Sequence, residues 1–301
     1  MKNELALHLS DVRKQFGAFT LDIPELQLPR GVVLGLIGQN GAGKSTLIKI
    51  LINLIYPDQG DVGLLGLQQP RDELAIKQRT GYVSENPSFY EELTVNAMAR
   101  IVSGFYPNWD KQTYAKYLSA FALDPKKRIK QLSKGMKVKL GVTLALSHRP
   151  ELLILDEPTS GIDPVMRREL LQEILSVIQD ERRTVVFSSH ITQDVEQIAD
   201  YVAILQDGKL AEFADRESLL GRWQQVSCTA SNTPTTWKDK FVSCKTSGSS
   251  VFGVTRDYSS NWVAEAKRLG LCDCQARPCT LETILLSLAG KEVVNNVGAH
   301  L

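Results

Sequence analysis

Short, continuous apolar runs, each closed by a small or charged residue, pattern the first two thirds of the chain. Val32-Val33-Leu34-Gly35-Leu36-Ile37, Leu152-Leu153-Ile154-Leu155 and Thr184-Val185-Val186-Phe187-Ser188-Ser189 read as strands buried on both faces. Between them lie helical stretches. Thr46 to Ile55 is apolar on nearly every side, so that helix should lie inside the domain. From Pro87 to about Arg128 the pattern turns helical, with aromatics at Phe105, Tyr106, Trp109, Tyr114, Tyr117 and Phe121 that should form the segment's own core. Ser133 caps a further helix carrying Met136, Leu140, Thr143 and Leu144 at helical spacing. Pro164 starts another, with Leu170, Leu171, Ile174, Leu175 and Ile178 on one face. Leu5 to Asp11 alternates as an edge strand, Phe19 to Ile23 follows as a second, and Asp207-Gly208 marks a hairpin. The fold class is therefore α/β, with a helical insert at about 87–148.

After about Leu220 the texture changes. Ser, Thr, Asn and Gly become dense between residues 227 and 260, with short strand candidates at 241–243 and 251–254. Asn261 to Leu269 looks helical, and Thr280 caps a helix with Leu281, Ile284, Leu285 and Leu288 on one face. These features predict one domain over 1–220 and a small α+β appendage over 221–301.

Composition narrows the function only a little. The 301 residues carry 35 Lys and Arg against 34 Asp and Glu, a net charge of +1, so no general nucleic-acid partner is expected. The N-terminal stretch lacks the apolar core and cleavage pattern of a signal peptide, and no apolar run has bilayer-spanning length. Five cysteines, all after residue 227, are an odd number that argues against a disulfide framework and for the cytosol. Cys272-x-Cys274-x₄-Cys279 is short of a four-ligand zinc set, so ordinary reduced thiols are expected.

The chemistry begins at Gly38-Gln39-Asn40-Gly41-Ala42-Gly43-Lys44-Ser45-Thr46, which fits G-x-x-x-x-G-K-[S/T] between a strand and a helix. Such a loop wraps phosphates with backbone N–H groups, and its glycines allow conformations that a Cβ would obstruct. Lys44 is placed as a cation for the β- and γ-phosphates and the Ser45 hydroxyl as a Mg²⁺ ligand. Asp156 and Glu157 close an apolar strand: Asp156 suits a second Mg²⁺ carboxylate, and Glu157 a general base towards water. His190, beyond a neighbouring strand, is placed to touch the γ-phosphate, and Phe16 offers a ring that can stack on adenine.

Together these residues resemble the ATP-binding subunits of ABC transporters over about residues 3–215, which implies a P-loop NTPase core of the ABC type. Leu132-Ser133-Lys134-Gly135-Met136 corresponds to the family's LSGGQ signature, with Lys134 for its first glycine and Met136 for its glutamine. Ser160-Gly161-Ile162-Asp163 resembles the D-loop, His190 the switch histidine, and Phe16 the adenine-stacking aromatic. Glu85 stands where the family carries a glutamine that contacts Mg²⁺ and senses the membrane subunit. The variant signature and appended region look like the ABC-2 type exporter branch, and Tyr106-Pro107-Asn108-Trp109-Asp110 is similar to its small bacterial drug and antibiotic-response pumps.

The resemblance implies ATP and Mg²⁺ as ligands, a membrane-spanning subunit as partner, and a location on the cytoplasmic face of the membrane. It also implies a head-to-tail dimer, with a second copy or a related subunit, in which Ser133 and the N–H groups around Gly135 complete the partner's ATP site. Two other classes stand beside it. One is an ABC-type ATPase acting away from membranes, whose relatives carry a coiled-coil insertion or tandem cassettes that this chain lacks. The other is a nucleotide sensor without turnover, against which the joint presence of Asp156, Glu157 and His190 argues.

Overall fold

A computed structural model describes residues 5–181, 183–231 and 237–290. The expected face residue Ile178 has its side chain outside that description, as do residues 291–301 of the expected appendage. The chain forms two compact units, Met1–Leu210 and Ala211–Leu301. The boundary expected at residue 220 falls beyond this division.

The first unit opens with the antiparallel hairpin β1 (Leu5–Phe16) and β2 (Phe19–Pro29), followed by β3 (Val33–Ile37) and α1 (Lys44–Leu51). Next come β4 (Gln59–Leu64), β5 (Leu67–Gln68), α2 (Glu73–Arg79) and β6 (Thr80–Val83). The insert supplies α3 (Val95–Ser103), α4 (Lys111–Ala120) and α5 (Lys134–Leu146). The chain then runs through β7 (Leu152–Asp156), α6 (Pro164–Glu181), β8 (Thr184–Ser189), α7 (Thr192–Ile198), β9 (Tyr201–Gln206) and β10 (Lys209–Asp215). The sheet order is β5-β4-β1-β2-β10-β9-β3-β8-β7-β6.

Within that order β9-β3-β8-β7-β6 is parallel, and every residue of β3, β7 and β8 is buried, as strands covered on both faces must be. One cover is α7, which lies so close to β3 that a Cβ on Gly35 would come 2.1 Å from Val195 Cγ1. Register then fixes the site. Ile37 pairs with Ser189 and Asp156 with Ser188, so three strand ends meet at one edge of the sheet. That carboxyl edge is where α/β sheets hold ligands.

Four local expectations change. The strand expected at an edge from Leu5 to Asp11 is interior, since β1 pairs with both β2 and β4. The helix after the glycine-rich loop begins at Lys44 and ends at Leu51, four residues short of Ile55. Asn53 takes a left-handed φ of +58°, and Leu54 is exposed. The apolar run there is longer than the helix it feeds. The helical pattern from Pro87 starts as turns, with the first helix at Val95. Of the insert's aromatics, Tyr114, Tyr117 and Phe121 are buried, whereas Phe105 is 74% exposed and so is not core.

The second unit contains α8 (Arg216–Arg222), β11 (Gln224–Ala230), β12 (Ser243–Ser247), β13 (Ser250–Thr255), α9 (Ser260–Arg268), β14 (Leu271–Pro278) and α10 (Leu281–Leu288). Its antiparallel sheet runs β12-β13-β11-β14 around Val226, Trp237, Phe241, Val251, Trp262 and Leu271. Thr280 Oγ1 accepts a hydrogen bond from Thr283 N at 3.1 Å, the cap expected for α10. The expectation of reduced cysteines is corrected at one pair: Cys228 and Cys274 form a disulfide. Adjacent strands β11 and β14 bring together thiols 46 positions apart, which counting cysteines cannot reveal. Burial pushes the Cys279 thiol up to about 12. Among the described residues, no group of three His, Cys, Asp or Glu side chains is placed to hold a metal by itself.

Candidate functional site

The loop between β3 and α1 is shaped by its glycines. Gly41 and Gly43 have φ of +83° and +107°, and Gly43 forms the cap of α1. Gly38 admits no side chain, since a Cβ would lie 2.5 Å from the Leu205 carbonyl oxygen. The first-turn N–H groups of α1 have no acceptors within the helix, and the helix dipole adds positive potential at the same point. Lys44 is buried and donates to the Gly38 carbonyl oxygen at 2.7 Å. These groups face a cavity of about 600 Å³ that Asn40, Gly41, Ser45 and Thr46 help to line.

The acidic side of the cavity comes from the ends of β7 and β8. Ser188 Oγ donates to Asp156 Oδ1 at 2.7 Å and accepts from Glu157 N at 2.9 Å, which fixes the two acidic residues relative to each other. Glu157 has φ +48°, an uncommon conformation for a residue with a Cβ and one that recurs at functional sites. Its Oε1 lies 3.3 Å from Lys44 Nζ and its Oε2 lies 2.6 Å from His190 Nδ1. Burial raises the Asp156 carboxyl pKa above the ordinary carboxylate range. The Ser188 hydrogen bond and Lys44 oppose that rise, while Glu157 and Glu85 add to it. A crowd of carboxylates with one lysine is a setting that a divalent cation relieves. The Ser45 hydroxyl and Asp156 fit such an ion, whose remaining oxygens would come from phosphate and water.

The family model described as ABC transporter matches residues 21–160. A bacitracin transport ATP-binding protein of Enterococcus faecalis is 35% identical over 213 residues, covering 69% of each chain. The chain belongs to the ABC transporter ATP-binding family. A lantibiotic transport ATP-binding protein of Streptococcus pyogenes is 35% identical over 207 residues, 68% of this chain and 88% of that one. A solved ATP-binding subunit of an ABC transporter superposes with a TM-score of 0.64 at 28% identity, covering 71% of this chain and 91% of the other. The protein is thus an ATP-binding and ATP-hydrolysing subunit of an ABC transporter, which implies a membrane-spanning partner. Among the described residues no helix is long and apolar enough to cross a membrane.

In this ABC subunit Lys44, Ser45, Glu85, Glu157 and His190 share the cavity, and Asp156 sits behind them. Ala42 is buried within the loop. Other expected site residues stand apart. Phe16 is exposed with Lys14 over its ring and does not line the cavity; Phe19, paired with it across the β1–β2 turn, does. Ser133 caps α5, accepting from Met136 N at 3.3 Å, and neither it nor Gly135 reaches the cavity. Asp163 Oδ1 caps α6 through Val165 N and Met166 N.

Two residues that had no expected role at this site, Phe19 and Ser188, take part in it, and Gln39 and Ser160, expected only as members of their motifs, line the cavity themselves. Ser160 lines the cavity and donates to Glu85 Oε1 at 3.0 Å; Gln39 and Phe19 line it too, and Ser188 holds Asp156. The serines closing an otherwise apolar strand were the available signal for Ser188.

Proposed function

We propose that the protein powers an exporter of the ABC-2 type branch, working on the cytoplasmic face of the membrane by ATP-gated closure onto a second copy or a related subunit. The observation that carries this is the Lys44–Glu157–His190 cluster at a phosphate-sized cradle. Lys44 and the α1 N-terminus would hold the phosphates, and Ser45 with Asp156 would hold Mg²⁺. When bound, that ion neutralises charge on the phosphates. Glu157 takes a proton from the attacking water, and His190 keeps the Glu157 carboxylate oriented through its 2.6 Å contact. Ser133 is exposed and outside the cavity, as expected of a group that serves the nucleotide of another subunit.

Further support for a transport role comes from the insert. A groove of about 210 Å³ is lined by Tyr82, Phe89, Val102, Tyr106 and His148, and the neighbouring Tyr90 and Phe105 are exposed. Exposed aromatics beside an apolar groove suit a protein partner, here the membrane subunit. The bacitracin and lantibiotic transport relatives favour peptide antibiotics as the cargo class. The membrane subunit would select the cargo.

Glu157→Gln tests the reading. This variant should bind ATP and form a stable dimer, with turnover reduced by about 10²–10⁴-fold, the range of a lost general base. Hydrolysis at the unmodified rate would show that Glu157 is not the base.

A further inference from the structure

The start of α5 and the loop leading into α6 interlock through two glycines. A Cβ on Gly135 would sit 2.0 Å from Met166 Sδ, so the thioether fills the space that a side chain at 135 would need. In the reverse direction, the Lys134 side chain lies over Gly161. A Cβ there would be 3.2 Å from Nζ and 3.9 Å from both Cδ and Cε. Gly161 has φ +66°, so the turn that receives this stem is itself one that favours glycine. One turn further along, Lys139 Nζ bonds Glu169 Oε2 at 3.0 Å and ties the same two helices together again.

The loop so held is also part of the nucleotide cavity. Ser160 lines it and bonds Glu85, while Gly161, the next residue, carries the Lys134 contact. Ser133, the residue before Lys134, caps α5. A path of adjacent residues therefore runs from the chain's own cavity through Ser160 and Gly161 to Lys134 and Ser133. Lys134 stands in the place of a family glycine, which has no stem to lay on the loop.

We propose that Lys134 is a positioning residue whose side-chain end, Cδ to Nζ, lies over Gly161 and holds Ser133 at the spacing from the 160–163 loop that a second copy's nucleotide requires. The inference rests on the two-subunit site proposed above. It makes Lys134 a strut between the half-site that the chain uses and the half-site that it lends. On this reading the strut acts through side-chain length, which Met and Arg keep and Ala loses.

The test uses the full chain in a Glu157→Gln background, with ATP-induced dimerisation followed by sedimentation. Fluorescent-nucleotide affinity is measured below the dimerising concentration, and melting temperature serves as a folding check. Lys134→Ala should raise the ATP concentration for half-dimerisation by about fivefold or more, a coupling of ordinary allosteric size, while monomer affinity stays within about twofold. Lys134→Met and Lys134→Arg should keep the parent midpoint. An unshifted Ala variant would overturn the strut, and so would a Met variant as weak as Ala, or a shift matched by monomer affinity. If the Glu157→Gln parent itself fails to dimerise with ATP, the two-subunit reading falls and takes the strut with it.

Discussion

His148 should make folding stability pH-dependent, and the size of the effect follows from its surroundings. The imidazole is buried just past the end of α5 and stacks on Tyr106 with ring centroids 3.8 Å apart and planes 11° from parallel. Burial pushes its pKa from 6.5 down to about 4; the Arg183 charge adds to the fall, and a bond to the Gln78 backbone opposes it. The unfolded chain takes up this proton near pH 6.5, whereas the folded one resists until about pH 4. Stability is thus fully present above pH 6.5 and is lost as pH falls towards 4. At 1.36 kcal/mol per pK unit the loss attributable to His148 is about 2 kcal/mol at pH 5 and about 3 kcal/mol near pH 4. Urea unfolding at pH 7.5 and pH 5 should show it against His148→Phe, which keeps a flat ring over Tyr106 but cannot titrate. The variant pays a pH-independent cost of about 1–3 kcal/mol for the Gln78 carbonyl left without its donor. Its fall in stability between the two pH values should nevertheless be smaller by about 2 kcal/mol. Equal falls in the two proteins would refute a buried, neutral His148.

Two further outcomes follow from the site. Ser133→Arg should abolish ATP turnover while nucleotide binding to the isolated subunit stays intact, since Ser133 lies outside its own chain's cavity; loss of binding, measured by titration calorimetry, would contradict a role towards a second subunit. Glu85→Gln should raise ATP affinity measured without divalent cation by about three- to tenfold, because one carboxylate fewer then faces the phosphates. An unchanged affinity would mean that the Glu85 charge does not reach them.

The parts of the site legible in the sequence were those contiguous in the chain. Gly38 to Thr46 carries its own backbone requirements, and Asp156-Glu157 and His190 each close an apolar run, so strands buried on both faces sufficed to place them at one edge. The missing parts are contacts between distant segments. Ser160 and Glu85 are 75 positions apart, and Ser188 and Asp156 are 32 apart; only register and loop path bring them together. The Cys228–Cys274 pair was hidden for the same reason. The early end of α1 was hidden differently, because apolar residues past Leu51 continue the helical pattern while Asn53 turns the backbone out of it.

Two of the three departures from the family pattern, Glu85 and Lys134, meet on one short loop, and this bears on how the subunit works. Glu85 touches the loop at Ser160 from the cavity side, and Lys134 touches it at Gly161 from the α5 side. Asp163 and Met166 at its far end fix the first turn of α6, and Thr159 at its near end bonds the buried Asp194, which Arg167 also holds at 2.6 Å. Ser160 and Gly161 are consecutive, so a shift at one is passed to the other. On the two-subunit reading proposed above, a change of charge at Glu85 has a short route to Lys134, through Ser160 and then Gly161. Coupling of this kind needs no long pathway. It requires only that the loop have two discrete positions, one favoured with phosphates beside Glu85 and one without.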